Sequence, residues 1–289
     1  MNSVPHVNLH HFKEKGYVLA KGVFSETEIS DLRQRIQAVK AKALASNDYL
    51  KDSCHPELVL ILGDLLSNKE LEDLDYVIFD SRIIACVKQI LGENIVYFGD
   101  SSVQTGEGVR GFHKDNVTRY DINGADWQSD YTLVRIGLYL QEHSKSSGGL
   151  KLRVRSHCYP SHHRGKAIDV KTELGDIVLW NLRTTHSGNN VRLKGLSNLC
   201  LHPRLEELIP EFLKIAGQGE RIAMFGTFGA ASGHLDRYIE NMVRRGDYHD
   251  YLKRAGFNKK ILELARGKGI EIRKPISEYG SLYPHYEEG

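Results

Sequence analysis

Apolar and polar positions follow three successive patterns along the chain. Tyr17-Val18-Leu19-Ala20 is a short apolar run that ends before Gly22. Ser25-Glu26-Thr27-Glu28 then has the form of a capping box, in which the Ser hydroxyl accepts from the third helical N–H and Glu28 reaches back. Ile29, Leu32, Ile36 and Val39 recur at helical spacing, predicting a helix that lays one apolar stripe on a core. A second helix is predicted from Ser81 to Leu91, with Gly92 as its stop.

From Ile95 the pattern shortens to β-type runs separated by Gly, Asn, Asp and Ser. The predicted strands are Ile95–Phe98, Leu133–Leu140, Leu150–Val154, Ile168–Val170, Ile177–Trp180 and Leu196–Leu201. Short strands at turn-punctuated intervals point to a sandwich or closed barrel. No long helix alternates with them, which argues against a parallel doubly wound sheet. After Pro203 the pattern predicts helices again, at Leu205–Ile215, Leu235–Arg245 and Lys259–Ala265. No repeat or linker interrupts the chain. The expected organisation is one domain over 1–289, with a barrel core at about 94–204, an N-terminal helical flank (1–93) and a C-terminal helical extension (205–289).

Composition narrows the class. Hydrophobic residues at 40% and charged residues at 26% suit a folded globular chain. A formal net charge of +2 supplies no global field for nucleic acid or membrane, and no stretch nears the ~18 apolar residues that span a bilayer. The four cysteines are scattered without a C-x-x-C pair, and no secretory leader is apparent. The expectation is a reducing, cytoplasmic setting in which a ferrous site survives. The sequence does not indicate an oligomeric state.

The candidate chemistry centres on His113-Lys114-Asp115. Alternate residues of a strand share a face, so the imidazole and the carboxylate can converge on one ion. Two histidines and one carboxylate leave coordination positions open, the ligand set of ferrous oxygenases. The tripeptide alone is weak: with 14 histidines, about one H-x-D arises by chance at ordinary Asp frequency. His55-Pro-Glu57, His234-Leu-Asp236 and His285-Tyr-Glu287 are similar pairs and are expected to be surface groups. His186 follows the buried-strand pattern Gly175-Asp-Ile-Val-Leu-Trp180, which can deliver it to the opposite wall of a barrel. An ordinary hydrogen-bonded loop histidine remains the alternative on spacing alone.

Five segments, in order, carry a family resemblance: FKEKGYVLAKGVFSETEISDLRQRI, ILGENIVYFGDSSVQ, GFHKDN, SSGGLKLRVRSH and ELGDIVLWNLRTTHSGNN. Over roughly residues 12 to 202 the chain resembles the phytanoyl-CoA dioxygenase-like branch of the Fe(II)/2-oxoglutarate oxygenases. The resemblance implies a mainly β fold, a double-stranded β-helix (jelly-roll, cupin-like barrel) with flanking α-helices. It implies Fe(II), 2-oxoglutarate and O2 as cofactor and cosubstrates, and His113, Asp115 and His186 as the catalytic metal ligands. The family normally carries an Arg a short distance after the second histidine, for the far carboxylate of 2-oxoglutarate; Arg192 is preferred here, with Lys194 and Arg204 as rivals. Gln104 falls where the family often places a cosubstrate or substrate contact. Arg155 departs from the pattern, standing where the family has a Gly-bearing turn. An Asp at position 115, where halogenating relatives have a small residue, favours hydroxylation.

Basic residues near the predicted active strands, Arg110, Lys114, Arg119, Arg135, Arg153 and Arg155, suggest a small polar or anionic substrate, with Arg110, Lys114 and Arg135 as contacts. The expected activity is hydroxylation of a C–H bond with release of succinate and CO2. A non-catalytic metal- or ligand-binding barrel is the alternative. A zinc hydrolase fits less well, because no H-E-x-x-H motif accompanies the histidines.

Overall fold

The computed structural model of the chain describes residues 5–51, 59–62, 75–107, 111–196, 199–245, 248, 252 and 257–280. Its opening unit forms as the caps dictate. Asn8 accepts from the His11 amide to start α1 (Leu9–Lys15), which stops at the left-handed Gly16 and leads into β1 (Tyr17–Ala20). Ser25 then caps α2 (Glu26–Ser46), its hydroxyl accepting from the Glu28 amide while the Ser25 N–H donates to the Glu28 carboxylate at 2.8 Å. This is the expected capping box. Ile29, Leu32 and Ile36 are buried along one face of α2, each adding roughly 1.5–3 kcal/mol of apolar burial. β2 (Leu50–Lys51), β3 (Val59–Leu62) and the short α3 (Asp75–Ile78) follow. α4 (Ser81–Leu91) has its predicted bounds, capped by Asp80 and ended by Gly92.

The remaining strands are β4 (Ile95–Gly106), β5 (Leu133–Tyr139), β6 (Lys151–Arg153), β7 (Ala167–Asp169), β8 (Ile177–Asn181), β9 (His186–Ser187), β10 (Arg192–Leu193), β11 (Lys214–Ile215), β12 (Ile222–Ala230) and β13 (Ile270–Ile272). One large sheet runs β1-β8-β5-β12-β4-β3-β2, antiparallel along that path, and β13 joins β4 in parallel. A small sheet, β7-β6-β9, is extended by an isolated antiparallel bridge between His113 and His186. The arrangement is the double-stranded β-helix, with helices flanking the large sheet.

Strand alternation explains where the core lies. On β8, Ile177 and Leu179 pack with the α2 and α4 side chains, while Val178 and Trp180 turn the other way to meet Leu150, Leu152 and Val170. Both faces of this strand are therefore covered, which is why it reads as an unbroken apolar run. On β5, Ile136 and Leu138 take the helix side and Tyr139 the barrel side. Trp180 and Tyr139 thus reach the interior where the site forms.

From residue 196 to 230 the chain departs from expectation, whereas the helices expected at Leu235–Arg245 and Lys259–Ala265 form. α5 (Pro203–Glu206) is one turn, β10 and β11 pair with each other, and no strand forms at 196 or 199–201. Pro210 lies inside the helix predicted for Leu205–Ile215 and interrupts it. More consequentially, β12 occupies the middle of the large sheet, pairing with β4 and β5, so the barrel extends past the expected limit of 204. Gly226 and Gly229 weaken its strand pattern, but a Cβ at those positions would lie 3.1 Å from Ile78 Cδ1 and 2.9 Å from Leu235 Cδ1. The glycines let helices approach the sheet closely. α6 (Gly233–Arg244) then packs Leu235, Ile239 and Val243 against Val96, Phe98 and Leu133, and α7 (Lys259–Gly267) and α8 (Pro275–Tyr279) complete the described chain. Among the described residues no helix is long and apolar enough to cross a membrane.

Candidate functional site

The bridge between the two histidines sets the site. His113 N–H donates to the His186 carbonyl at 3.0 Å and His186 N–H donates back at 2.9 Å, leaving the ring centroids 4.4 Å apart. Asp115, two residues on, donates its amide to the Leu182 carbonyl at 3.2 Å and returns its carboxylate to the same side. His113 Nε2 lies 3.7 Å from Asp115 Oδ1, and His186 Nε2 lies 3.5 Å from Asp115 Oδ2. One ligand atom from each of the three residues falls within 4.8 Å of the others. The H-x-D pair and the distant His186 converge as a metal site requires.

The donors are also prepared for a metal. His113 Nδ1 faces the Gly111 carbonyl at 2.9 Å and His186 Nδ1 faces the Thr184 carbonyl at 3.1 Å. Each backbone acceptor takes the Nδ1 proton and leaves the Nε2 lone pair directed at the shared centre. Burial pushes the His186 imidazole down to about 3, so the ring stays neutral. For Asp115, burial acts upward, but the carboxyl is held well below its usual range, with the Arg135 charge the largest opposing influence. Two neutral imidazole nitrogens and one carboxylate, gathered on one side, suit a divalent first-row metal with open positions.

Arg135 supplies the carboxylate's partner from β5. Its Nη1 donates to Asp115 Oδ2 at 3.0 Å, its Nη2 to Asp100 Oδ2 at 2.8 Å and its Nε to Thr227 Oγ1 at 3.0 Å. Tyr238 on α6 donates to the same Asp100 oxygen at 3.2 Å. The extension after the barrel is therefore linked by hydrogen bonds to the metal carboxylate.

A cavity of about 610 Å³ opens over the triad. Its walls include Trp180 and Phe225, and Trp180 lies 5.4 Å from the His186 ring. Gln104 and Arg119 are in its lining. Arg135 lines it too, although its donors are committed to Asp115, Asp100 and Thr227, so it holds the metal carboxylate instead of standing free for substrate. Lys114 is corrected outright. It points to the face opposite its neighbours, is fully buried, and donates to the Ser156 and Arg183 carbonyls at 2.7 and 2.6 Å; burial brings its ammonium down to about 7. Arg110 lies outside the described residues. Arg153 stacks over Phe112 at 4.5 Å, and Arg155 is exposed. Of the similar pairs, His234 is buried against Ser129, not on the surface, and His55 and His285 lie outside the described residues.

The three basic residues considered for a 2-oxo acid, Arg192, Lys194 and Arg204, do not line this cavity. Arg192 is buried elsewhere, with Nη1 donating to the Ser144 carbonyl, and Lys194 Nζ donates to the Phe212 carbonyl. Arg221 lines the cavity instead. It sits one residue before β12, its Nε donates to the Gly148 carbonyl at 2.9 Å, and its guanidinium lies 5.9 Å from the Tyr139 ring centre. A Cβ on Gly188, two residues beyond His186, would come 3.6 Å from Arg221 Nη2. The segment between β9 and β12 carries this guanidinium far from His186 in sequence. Its signal was an Arg directly before the apolar run Ile222-Ala-Met-Phe.

Comparison with known proteins agrees with this fold. A family model described as phytanoyl-CoA dioxygenase (PhyH) matches residues 12–193. No curated protein sequence matches the chain. Among solved structures, the fold is similar to SnoN, a non-heme alpha-ketoglutarate-dependent epimerase from nogalamycin biosynthesis, at a TM-score of 0.52 and 16% identity over 78% of this chain and 81% of that one. HygX from Streptomyces hygroscopicus, solved with nickel, 2-oxoglutarate and hygromycin B, is similar at a TM-score of 0.52 and 14% identity over 77% and 86% of the two chains. AviO1 from Streptomyces viridochromogenes Tue57 is similar at a TM-score of 0.55 and 14% identity over 78% and 94%.

Proposed function

The chain belongs to the phytanoyl-CoA dioxygenase family, and from that premise we propose that it is an Fe(II)- and 2-oxoglutarate-dependent dioxygenase. In this reading it hydroxylates a C–H bond of a small polar or anionic metabolite and releases succinate and CO2. The observation that carries the reading is the convergence of His113, Asp115 and His186 in one cavity with the guanidinium of Arg221.

Each part of the site has a task in that chemistry. His113 and His186 present Nε2, fixed by their Nδ1 bonds to backbone carbonyls, and Asp115 adds one carboxylate held by Arg135. Together they hold Fe(II), which with O2 and the 2-oxo acid supplies the oxidising chemistry when bound. Arg221 takes the far carboxylate of 2-oxoglutarate, a role suited to a planar fork that grips both oxygens. Gln104, also in the lining, is a further polar contact. Trp180, Tyr139 and Phe225 keep water from the triad and orient what enters.

A guanidinium in the triad's cavity suits a catalytic and a ligand-binding barrel alike, and turnover of 2-oxoglutarate to succinate separates the two. A second catalytic reading is that the attacked carbon is rearranged without gaining oxygen, since SnoN is described as an epimerase. Anaerobic addition of Fe(II) and 2-oxoglutarate should produce a weak visible charge-transfer band, absent in His113→Ala and His186→Ala. Succinate release unchanged in either variant would discard the site. Oxygen from labelled O2 in the organic product would favour hydroxylation over rearrangement.

A further inference from the structure

The cavity holds more positive charge than an iron and a 2-oxo acid require. Arg135 is committed to Asp100 and Asp115, and Arg221 serves the cosubstrate in the reading above, on which this inference rests. Lys51 and Arg119 remain in the lining. Among the described residues neither has a carboxylate partner; Arg119 donates its Nε to the Asn116 carbonyl at 3.1 Å, which leaves the charged end of the fork for another acceptor.

Register sets Lys51 apart from Arg221 across the large sheet. Ile222, next to Arg221, pairs with Thr105; Thr105 pairs with Leu60; and Leu60 pairs with Lys51. Three strand-to-strand steps place the Lys51 backbone about 14 Å from that of Ile222. Arg119 lies close enough to Asp115 to lower its carboxyl, so it stands on the metal's side of the cavity. Tyr238, Asn241, Met242 and Arg245 line the cavity from α6 and the residue just beyond it. Their i, i+3, i+4, i+7 spacing puts them on one face. That face brings an amide and a further guanidinium to the same chamber.

We propose that Lys51 and Arg119, assisted by Asn241 and Arg245, form a docking wall for a multiply charged oxyanion on the substrate, a phosphate monoester or a pair of carboxylates. The oxyanion is held apart from the 2-oxoglutarate carboxylate that Arg221 takes, and Arg119 keeps it close enough to the triad to present a neighbouring C–H bond there. Guanidinium forks match phosphate and carboxylate oxygens in geometry, and the lysine adds a flexible point charge. This wall, drawn from β2, the loop after Asp115 and α6, then selects the substrate, while the triad holds the metal.

The test uses the full chain saturated with Ni(II) and 2-oxoglutarate, titrated calorimetrically with inorganic phosphate and, separately, with malonate. At least one anion should bind, at least tenfold more weakly in Lys51→Gln/Arg119→Gln, with 2-oxoglutarate affinity changed less than twofold. The tighter of the two anions identifies the substrate's group. If neither binds the wild type, or the double variant binds equally well, the docking wall is refuted. Absence of 2-oxoglutarate binding by the wild type would instead remove the cosubstrate reading, a separate observable read before any anion is added.

Discussion

Arg135 and Asp115 meet through Nη1 and Oδ2 at 3.0 Å, and the same guanidinium reaches Asp100 at 2.8 Å. A metal-binding carboxylate is thereby fixed from β5, and Asp100 is fixed in turn by Tyr238 of α6. The metal site thus depends on β4, which precedes its ligands in the chain, on β5, which lies between them, and on a helix well after them.

Loss of this partner should weaken metal binding before it abolishes folding. Arg135→Lys keeps one charge between the two carboxylates but cannot bridge them as a fork does. Metal affinity should fall about 10- to 100-fold, the usual effect of removing a group that orients a ligand. Competition with a chromophoric chelator measures it. Wild-type affinity in Arg135→Lys would show that Asp115 holds its position unaided.

The placement of Arg221 and Arg192 makes opposite predictions for two buried arginines. Arg221→Gln should raise the 2-oxoglutarate concentration needed for half-maximal succinate release by roughly tenfold to a hundredfold, the scale of a lost charge-assisted hydrogen bond. Arg192→Met should leave it within about twofold, because Arg192 donates to Ser144 and does not line the cavity. The reverse pattern would restore the shorter spacing expected from the family.

Local signals were legible where one element carries its own instructions. The Ser25–Glu28 box, the Ile29–Val39 stripe and the Gly92 stop each act within a few residues, and the structure has them at the predicted places. The triad was legible because strand alternation turns His113 and Asp115 to one side and the run before His186 is so apolar. The same alternation should have removed Lys114 from the candidate contacts, since it lies between the two ligands and faces away. β12 was not legible for a tertiary reason. Its glycines look like strand breakers in isolation and become favourable only once α6 and α3 press against the sheet. Missing that strand also meant missing Arg221, which its entry positions.

Acid should destabilise the fold through two buried histidines away from the metal. Burial, reinforced by the nearby Arg221 charge, pushes His143 down to about 3, and burial likewise lowers His157 to about 4. Gln141 Nε2 and the Ser147 carbonyl occupy the two ring nitrogens of His143 at 2.7 and 2.9 Å, an arrangement made for the neutral ring. An unfolded histidine titrates near 6.5, so between that pH and the folded values the unfolded chain binds more protons. Stability is fully present above about pH 6.5 and falls as pH drops towards 4 and 3, by about 2 kcal/mol per residue at pH 5. Urea midpoints at pH 7 and pH 5 measure this, and a His143→Gln variant should lose less than the wild type. Equal losses would assign the acid sensitivity to other groups.

Arg155 offers the opposite case, a residue whose replacement should stabilise. It sits at φ 65° and ψ 6° at the start of the turn leading into Ser156–Cys158, where the family pattern has glycine. A left-handed residue with a Cβ costs about 1–2 kcal/mol, while glycine gains unfolded-state freedom worth roughly 0.4–1 kcal/mol. The first effect is the larger, so Arg155→Gly should add up to about 1 kcal/mol, a rise in Tm of about 2 °C. Its N–H bond to the Lys15 carbonyl at 2.9 Å belongs to the backbone and survives the change. Arg155→Ala keeps the strain and should gain nothing, which separates backbone relief from loss of the exposed charge. Calorimetry on both variants, with metal affinity as a control expected to stay constant, decides it; a lower Tm for the glycine variant would mean that the arginine side chain contributes more than its backbone strain costs.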